Sequence, residues 1–480
     1  MSQDWDAETD VLVAGAGACG LAAALAASEG GASVSIVEKS DRLGQCNTAL
    51  STGSVPGAGT RFQREAGIED SPQGFFEDLM RQSGPHDVPE LARLLAHESA
   101  PLVEWLVDAL EVDLRVITDY KHVGHTVERL HAPPSRRGED LLKDLIRAVK
   151  ARAIPVALAS PIVELVVDHG AVVGAVVGGG RAGSTRIAAK KIILGTNGFA
   201  AHPELVRKYC PDIAGAPYFG ALGSMGEAVL WGERFGAKLA NMGAYQGYAT
   251  LVYPQGSLLS WTTVEMGGIL VTDRGHRFGD ESAGYSGFAR DVLAQGRSVY
   301  SLFDQRIRDY VASHEEEFRE LVASGALFVA RSPRDVATRW SIDADALAVT
   351  IREYERAARG EVTDGFGRKH FGMAPLQPPY VVVQVQAGLF HTQGGLWVDQ
   401  DARPWFANDG AIRNLFAGGG AAAGISGLRG GAGYSSGSGL LSALGLGRIA
   451  GRAAAREVRA ESSLAGGQGT SNSGAGPSAS

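Results

Sequence analysis

The strongest constraint on this chain is Asp10-Val-Leu-Val-Ala-Gly-Ala-Gly-Ala-Cys-Gly-Leu, an apolar run that breaks into three spaced glycines and continues as an alanine-rich segment. The pattern predicts a strand over Val11 to Ala14, a helix over Leu21 to Ala27 and a second strand over Val34 to Val37 that ends on Glu38. Each glycine has a separate task in such a unit. Gly15 permits the tight turn, Gly17 lets backbone amides approach a pyrophosphate, and Gly20 lets the helix pack on the strand. The helix N-terminus adds partial positive charge, and Glu38 follows about 20 residues on, where a carboxylate can accept from ribose hydroxyls. Strand, helix, strand and acid in register describe a dinucleotide cradle rather than an ordinary glycine-rich loop.

Around this unit, 480 residues with 45% hydrophobic composition can bury a large core and suggest two or three domains at about 150 residues each. The formal charge of -8, with no run of lysine or arginine, argues against a nucleic-acid partner. The N-terminal residues are acidic and lack a basic region followed by an apolar one. No apolar stretch reaches the roughly 18 residues that a membrane span requires, so the expectation is a cytoplasmic globular protein. Cys19, Cys46 and Cys210 lie far apart without a Cys-x-x-Cys pair, which leaves no basis for disulfides, an iron-sulfur cluster or c-type haem.

Beyond Glu38 the small, polar segment from Lys39 to Ser54 predicts a loop that lies against a flat ligand. Helical spacing from Ser71 to Leu110 reads as core packing. The segment 120–137 holds His122, His125 and His131, but their spacing matches no standard metal site, and no metal is expected. Leu141 to Ala151 reads as an amphipathic helix and Val163 to Val177 as a β-hairpin. A buried strand beginning at Lys191 ends in Thr196, Asn197 and Gly198, which at the carboxyl end of a doubly wound sheet are second contacts to the same ligand. Residues 241–371 change character and read as an inserted α+β cap. The chain then returns with Tyr380 to Val385, His391-Thr-Gln-Gly-Gly, the glycine-rich run Phe416 to Gly439 and a closing helix from Leu440 to Val458. The expected organisation is an α/β, Rossmann-like, discontinuous dinucleotide-binding domain (1–240 and 372–460) around the cap, with a disordered tail over 461–480.

Several of these stretches, in this order, resemble the fumarate reductase / succinate dehydrogenase flavoprotein family, which includes the ketosteroid dehydrogenases and tricarballylate dehydrogenase. They are Gly15-Ala-Gly-Ala-Cys-Gly with Glu38, Asn47-Thr-Ala-Leu-Ser-Thr-Gly, Gly195-Thr-Asn-Gly-Phe, Gly275-His-Arg-Phe-Gly-Asp-Glu-Ser, His391-Thr-Gln-Gly-Gly, Leu415-Phe-Ala-Gly-Gly-Gly and Gly447-Arg-Ile-Ala-Gly. The cradle alone admits NAD or FAD; the resemblance implies FAD, sandwiched between its domain and the cap. The implied cofactor contacts are Gly15, Gly17, Ala18, Cys19, Gly20, Glu38, Lys39, Ser40, Cys46, Asn47, Thr48, Ser51, Thr52, Gly53, Val163, Thr196, Asn197, Gly198, Gly226, Gly419 and Gly420. Ser438, Gly439, Leu440 and Leu441 join them, since the N-terminus of the closing helix suits the negative edge of reduced flavin.

Departures from the family pattern matter as much as the matches. Asn47 stands where members with covalently attached flavin carry histidine, which implies non-covalent FAD. Tyr285 and Tyr434 fall where fumarate reductases carry their proton-donating and carboxylate-clamping arginines, and Tyr434-Ser435-Ser436 is similar to the ketosteroid dehydrogenases. Gly420 occupies the place of a glutamate that meets the ribityl chain. The resemblance thus implies desaturation of a small-molecule cyclic ketone beside its carbonyl. That reaction needs a base, which a tyrosine of lowered pKa can provide, a flavin to take hydride, and donors on the carbonyl oxygen. Tyr285 and Tyr434 divide the roles of base and carbonyl anchor in either order, and Ser436, His391, Arg429 and His131 are candidate substrate contacts. Two alternatives stay open: a fumarate reductase-like or tricarballylate dehydrogenase-like enzyme working beside a carboxylate, and a nucleotide-binding protein without redox chemistry. The electron acceptor is unknown.

Overall fold

The computed structural model describes residues 4–119, 121–178, 183–406 and 412–468. Strand β1 (Ala7–Ala14) is apolar on both faces from Val11 to Ala14, as a strand covered on both sides must be. It lies parallel to β2 (Val34–Val37), with Val11 opposite Val34, and to Ser184–Leu194, with Val11 opposite Lys191. Val156–Ala157 continues this sheet beyond β2, and the antiparallel hairpin Ile162–Asp168 and Ala171–Gly178 continues it on the other side. Leu415–Ala417 pairs in parallel with Ile192 to Leu194, so the C-terminal part of the chain re-enters the sheet begun by its N-terminus.

Helix α1 (Ala18–Glu29) is almost wholly buried because a second helix, Ser438–Gln468, packs along it. Small residues make the close crossing possible. A Cβ on Gly447 would lie 2.4 Å from the Cys19 carbonyl oxygen, and one on Gly451 would lie 2.2 Å from that of Ala23. The closing helix runs past Val458, where the sequence reading ends it. Lys191 is 1% exposed beneath the sheet and is paired by Glu457 and Glu461 at 2.8 and 2.6 Å, so the helix is held into the region expected to be a disordered tail. The rest of that expected tail, 469–480, lies outside the described residues.

A second sheet runs in the order Ile269–Thr272, Val299–Asp304, Tyr380–Thr392, Gly243–Val252, with Phe328–Ala330 also paired to Tyr380–Thr392. Tyr380–Thr392, which the sequence reading assigns to the chain's return, is therefore a central strand of this second sheet. Among the described residues two large hydrophobic cores result, beside a small cluster of Ile117, Leu130 and Ala132: one built on β1, α1 and the closing helix, the other drawing residues from Phe199 to Leu389. The far end of Tyr380–Thr392 runs past Leu389 to His391 and Thr392, where Thr392 Oγ1 accepts from the Phe199 amide at 3.0 Å. The space between the halves is the cavity described next.

Candidate active site

The cradle is built as its glycines require. Gly15 adopts φ +101°, and a Cβ there would strike the Gly195 carbonyl oxygen at 2.5 Å. A Cβ on Gly20 would sit 1.8 Å from the Gly15 carbonyl oxygen, so both positions are closed to side chains by the protein itself. Gly17 differs: its nearest neighbours would be 3.7 Å away, and the space it leaves faces the cavity. Glu38 fastens the turn, with one carboxylate oxygen accepting from the Ala16 amide and the other from the Ser40 amide, each at 2.8 Å. A carboxylate has about four acceptor sites, so capacity for ribose hydroxyls remains. Thr48 Oγ1 accepts from the Ala18 amide at 3.0 Å and so ties the following loop to the start of α1.

Polar atoms aimed into the cavity complete the test for a flavin dinucleotide. Thr196 Oγ1, Glu227 Oε2 and Ser442 Oγ line it and are buried without a protein partner, as groups awaiting ribityl, phosphate or ring atoms would be. Asn47 Oδ1 accepts from the Ala221 amide at 2.6 Å, and Lys39 pairs with Glu227, so the two loops flanking the cavity are joined. The donor and acceptor set and the glycine cradle fit FAD.

Most cofactor positions expected from the sequence line this cavity: Gly15, Gly17, Ala18, Cys19, Glu38, Lys39, Ser40, Cys46, Asn47, Thr48, Ser51, Thr52, Thr196, Asn197, Gly419, Gly420, Gly439 and Leu440. Others do not. Gly20 sits behind the turn, Gly53 packs on Pro133, Gly198 on Thr392, and Gly226 on Leu205 and Phe199. Ser438 and Leu441 are buried behind the first turn of the closing helix. Val163 is 54% exposed and points away; its neighbour Ile162 lines the cavity instead, since one step along a strand reverses the face. Gly420 can carry no side chain, because a Cβ would meet the Gly198 nitrogen at 2.5 Å.

Of the substrate-side candidates, Tyr285, Tyr434, Ser436 and His391 meet in one place. The Tyr285 hydroxyl lies 3.2 Å from Ser436 Oγ, the Tyr285 and Tyr434 rings stand edge to face at 6.1 Å, and Tyr434 meets His391 at 5.6 Å. Arg429 and His131 stand elsewhere. Arg429 is exposed on a short strand beside Gly243. His131 is fully buried outside the cavity lining, its Nε2 at 2.9 Å from Thr60 Oγ1 and its Nδ1 at 3.0 Å from the Arg129 carbonyl. Burial holds it neutral, with its pKa pushed down to about 4 although the Arg129 carbonyl favours the protonated ring.

Tyr248, 5.1 Å from Tyr285, and Phe390, 5.6 Å from Tyr248, extend the aromatic wall. Burial decides the protonation of the tyrosines. It pushes Tyr434 up to about 12 although the Gly439 amide faces its oxygen, and it pushes Tyr285 well above the ordinary tyrosine value, reinforced by Tyr434. The expected tyrosine base of lowered pKa is therefore corrected: both phenols are hydrogen-bond donors near neutral pH, because burial penalises the phenolate. Burial likewise keeps His391 neutral, its pKa lowered to about 4.

A further ionisable group of the cavity is Glu265, which sequence reading missed. It ends the short helix Thr262–Glu265, lines the cavity and bears electrostatically on Tyr285. Burial, with the negative charge of Glu315 added, pushes its carboxyl up to about 8. Glu315 is fixed by Ser260 and Thr262 hydroxyls at 3.1 and 2.8 Å. No spacing signal marks Glu265; it merely precedes the Gly267-Gly268 step into a strand. Tyr285 itself is positioned by the segment before it, where Arg277 is buried against Glu281 and Asp364, and Arg368 reaches Glu281 at 3.5 Å.

A glycine cradle with unsatisfied polar atoms on one side of a cavity, and phenols, a carboxyl and aromatic walls on the other, defines a flavin-dependent oxidoreductase. The chain belongs to the FAD binding domain family, whose pattern it matches over residues 10–436. Fumarate reductase (cytochrome) of Shewanella frigidimarina is 30% identical over 453 residues, covering 93% of this chain and 77% of that protein. NADH:fumarate oxidoreductase of Klebsiella pneumoniae is 30% identical over 422 residues, covering 87% of this chain, which spans only 45% of that relative's length. In structure, the open conformation of a flavocytochrome c3 fumarate reductase matches with a TM-score of 0.79 at 28% identity, over 95% of this chain and 79% of that one. A 3-ketosteroid-delta4-(5alpha)-dehydrogenase from Rhodococcus jostii RHA1 shares the fold, with a TM-score of 0.73 at 23% identity over 95% and 98% of the two chains. The protein is thus an FAD-dependent oxidoreductase of CH–CH groups in the fumarate reductase family, and it shares its fold with the ketosteroid dehydrogenase. Among the described residues, no helix is long and apolar enough to cross a membrane.

Proposed function

We propose that the enzyme exchanges hydrogen across the C–C bond beside the carbonyl of a neutral cyclic ketone, using FAD held without a covalent link. The observation that carries this reading is the charge of the cap side of the cavity. Glu315, Glu316 and Glu317 line it together with Glu265, which burial holds protonated near neutral pH, and the one arginine among the described lining residues, Arg136, is paired with Asp119 through Nη2 while its Nη1 is buried without a partner. A dicarboxylate would enter against the acidic residues of this side with a single guanidinium nitrogen of Arg136 left to replace its lost hydration, whereas a flat neutral ring meets Tyr248, Tyr285 and Phe390. Asn47, already bonded to the Ala221 amide, offers no imidazole to attach flavin.

Bound FAD supplies the hydride acceptor or donor. The chain's own groups do the rest. Tyr434, a buried protonated phenol, donates to the carbonyl oxygen and stabilises the enolate that develops there. Tyr285 orients the proton being moved, and Glu265 on the same wall is the group basic enough to receive it. The aromatic wall keeps water from the reacting carbon. In the desaturating direction Glu265 must be ionised to accept the proton, so the rate is expected to rise as pH passes upward through about 8. Glu265→Gln is expected to flatten that rise while FAD stays bound. A Gln variant with an unchanged pH–rate profile removes Glu265 from this role.

Dye-coupled turnover tests the substrate reading. Cyclohexanone-type ketones and 4-androstene-3,17-dione, the ligand of the Rhodococcus neighbour, are compared with succinate and tricarballylate, and fumarate is tested in the reductive direction. Turnover of ketones supports the proposal, and turnover of carboxylates alone overturns it. The second reading, a fumarate reductase-like enzyme, is favoured by the names of relatives at 30% identity and is decided by the same comparison.

A further inference from the structure

A loop around His125 lies wedged between the two halves at the point where Tyr285 meets Ser436. Gly124 has φ +84°, and a Cβ there would lie 2.4 Å from Ser435 Oγ; a Cβ on Gly284, next to Tyr285, would lie 3.0 Å from Val123. The Ser436 amide donates to the Val123 carbonyl at 3.0 Å. His125 is buried there with a fixed tautomer. Arg129 donates through Nε and Nη2 to Asp70 at 2.7 and 2.8 Å, and through Nη1 to Asp78 at 2.8 Å and to His125 Nδ1 at 3.0 Å. A guanidinium has no acceptor, so Nδ1 must accept and the ring proton resides on Nε2. That proton meets the Ser436 carbonyl at 2.9 Å. Burial and the Arg129 charge keep the ring from gaining a second proton, its pKa pushed down to about 4.

We propose that His125 is a positioning residue: its Nε2–H holds the Ser436 peptide in place, and the Ser436 hydroxyl, 3.2 Å from the Tyr285 hydroxyl, thereby fixes the direction in which Tyr285 faces the substrate. The inference rests on the reading of Tyr285 as the phenol that handles the proton. Asp70, Asp78 and Arg129 set the tautomer and touch nothing that reacts. The link joins three separated parts of the chain: the 122–129 loop, the entry to the closing helix and the cap.

Glutamine can replace this imidazole in kind, since its amide oxygen accepts from Arg129 while its nitrogen donates to a carbonyl; leucine can do neither. His125→Leu is expected to retain FAD and to lower kcat roughly tenfold with little change in KM, and His125→Gln to stay within about threefold of wild type. In a Tyr285→Phe background the Leu substitution should cost less than about twofold, because the hydroxyl it directs is gone. Equal losses in Leu and Gln, or an undiminished Leu effect without the Tyr285 hydroxyl, would overturn the proposal. Should His125→Leu fail to fold, Ser436→Ala is read in the same cycle, where an undiminished loss in the Tyr285→Phe background overturns it equally. The cycle is measured on whichever ketone or carboxylate the wild type turns over, so an error in the substrate reading shows in the wild type and an error here only in the variants.

Discussion

Tyr434→Phe is expected to purify with its full complement of FAD and to turn over ketone about 10²-fold more slowly than wild type, with kcat and kcat/KM falling together. The substitution removes one oxygen from a ring that is 5% exposed and braced edge to face by Tyr285 and His391, so its position is kept. The protein loses the hydroxyl alone, a donor that burial keeps protonated up to about pH 12 and that the Gly439 amide faces. Because charge builds on the carbonyl oxygen only as the enolate forms, the missing donor is felt in the transition state more than in binding. Flavin absorbance and thermal unfolding should be unchanged while stopped-flow flavin reduction slows. Rates near wild type would make Tyr434 an interface tyrosine and move the carbonyl anchor elsewhere.

What the sequence made legible is what depends on local pattern. The three glycines, Glu38 and the placement of Thr196 and Asn197 at the end of a central strand follow from periodicity and from the geometry of parallel sheets; Gly15, Gly17, Glu38, Thr196 and Asn197 line one cavity. Tyr380 to Val385 is readable as a buried strand, but burial is the same in either sheet, and only pairing with Val299–Asp304 and Gly243–Val252 assigns it to the second. Val163 and Ile162 differ by one residue, and the bulge in that hairpin decides which one faces inward. The length of the closing helix depends on Lys191, some 270 residues upstream of Glu461. Protonation was the least legible property. A tyrosine near flavin can be a base or a donor, and the absence of any cation facing Tyr285 and Tyr434 among their described partners makes both donors. Glu265 and His125 carry no sequence signal at all, since each gains its role only from groups brought to it by the fold.

The cradle allows its two kinds of glycine to be separated by experiment. Gly20→Val is expected to abolish FAD binding and to destabilise the protein, because the first side-chain atom would already lie 1.8 Å from the Gly15 carbonyl oxygen and 3.2 Å from Val13 Cγ1. Neither neighbour can yield: Gly15 is held at φ +101° over Gly195, and Val13 is fully buried in β1. The start of α1 must therefore move outward, carrying the Ala16 and Ala18 amides away from Glu38 and Thr48. Overpacking of this kind costs roughly 1–3 kcal/mol, and at a backbone contact the upper end applies. Gly17→Ala provides the contrast. Its Cβ would meet no protein atom closer than 3.7 Å, so the fold and its thermal unfolding should be unchanged, yet the methyl would occupy space left for the pyrophosphate. The expected result is that Gly17→Ala is folded and colourless whereas Gly20→Val is destabilised and colourless, read by flavin content and by unfolding temperature. Normal FAD binding by Gly17→Ala would show that the phosphates pass elsewhere, and wild-type stability of Gly20→Val would show that the helix N-terminus can shift without cost.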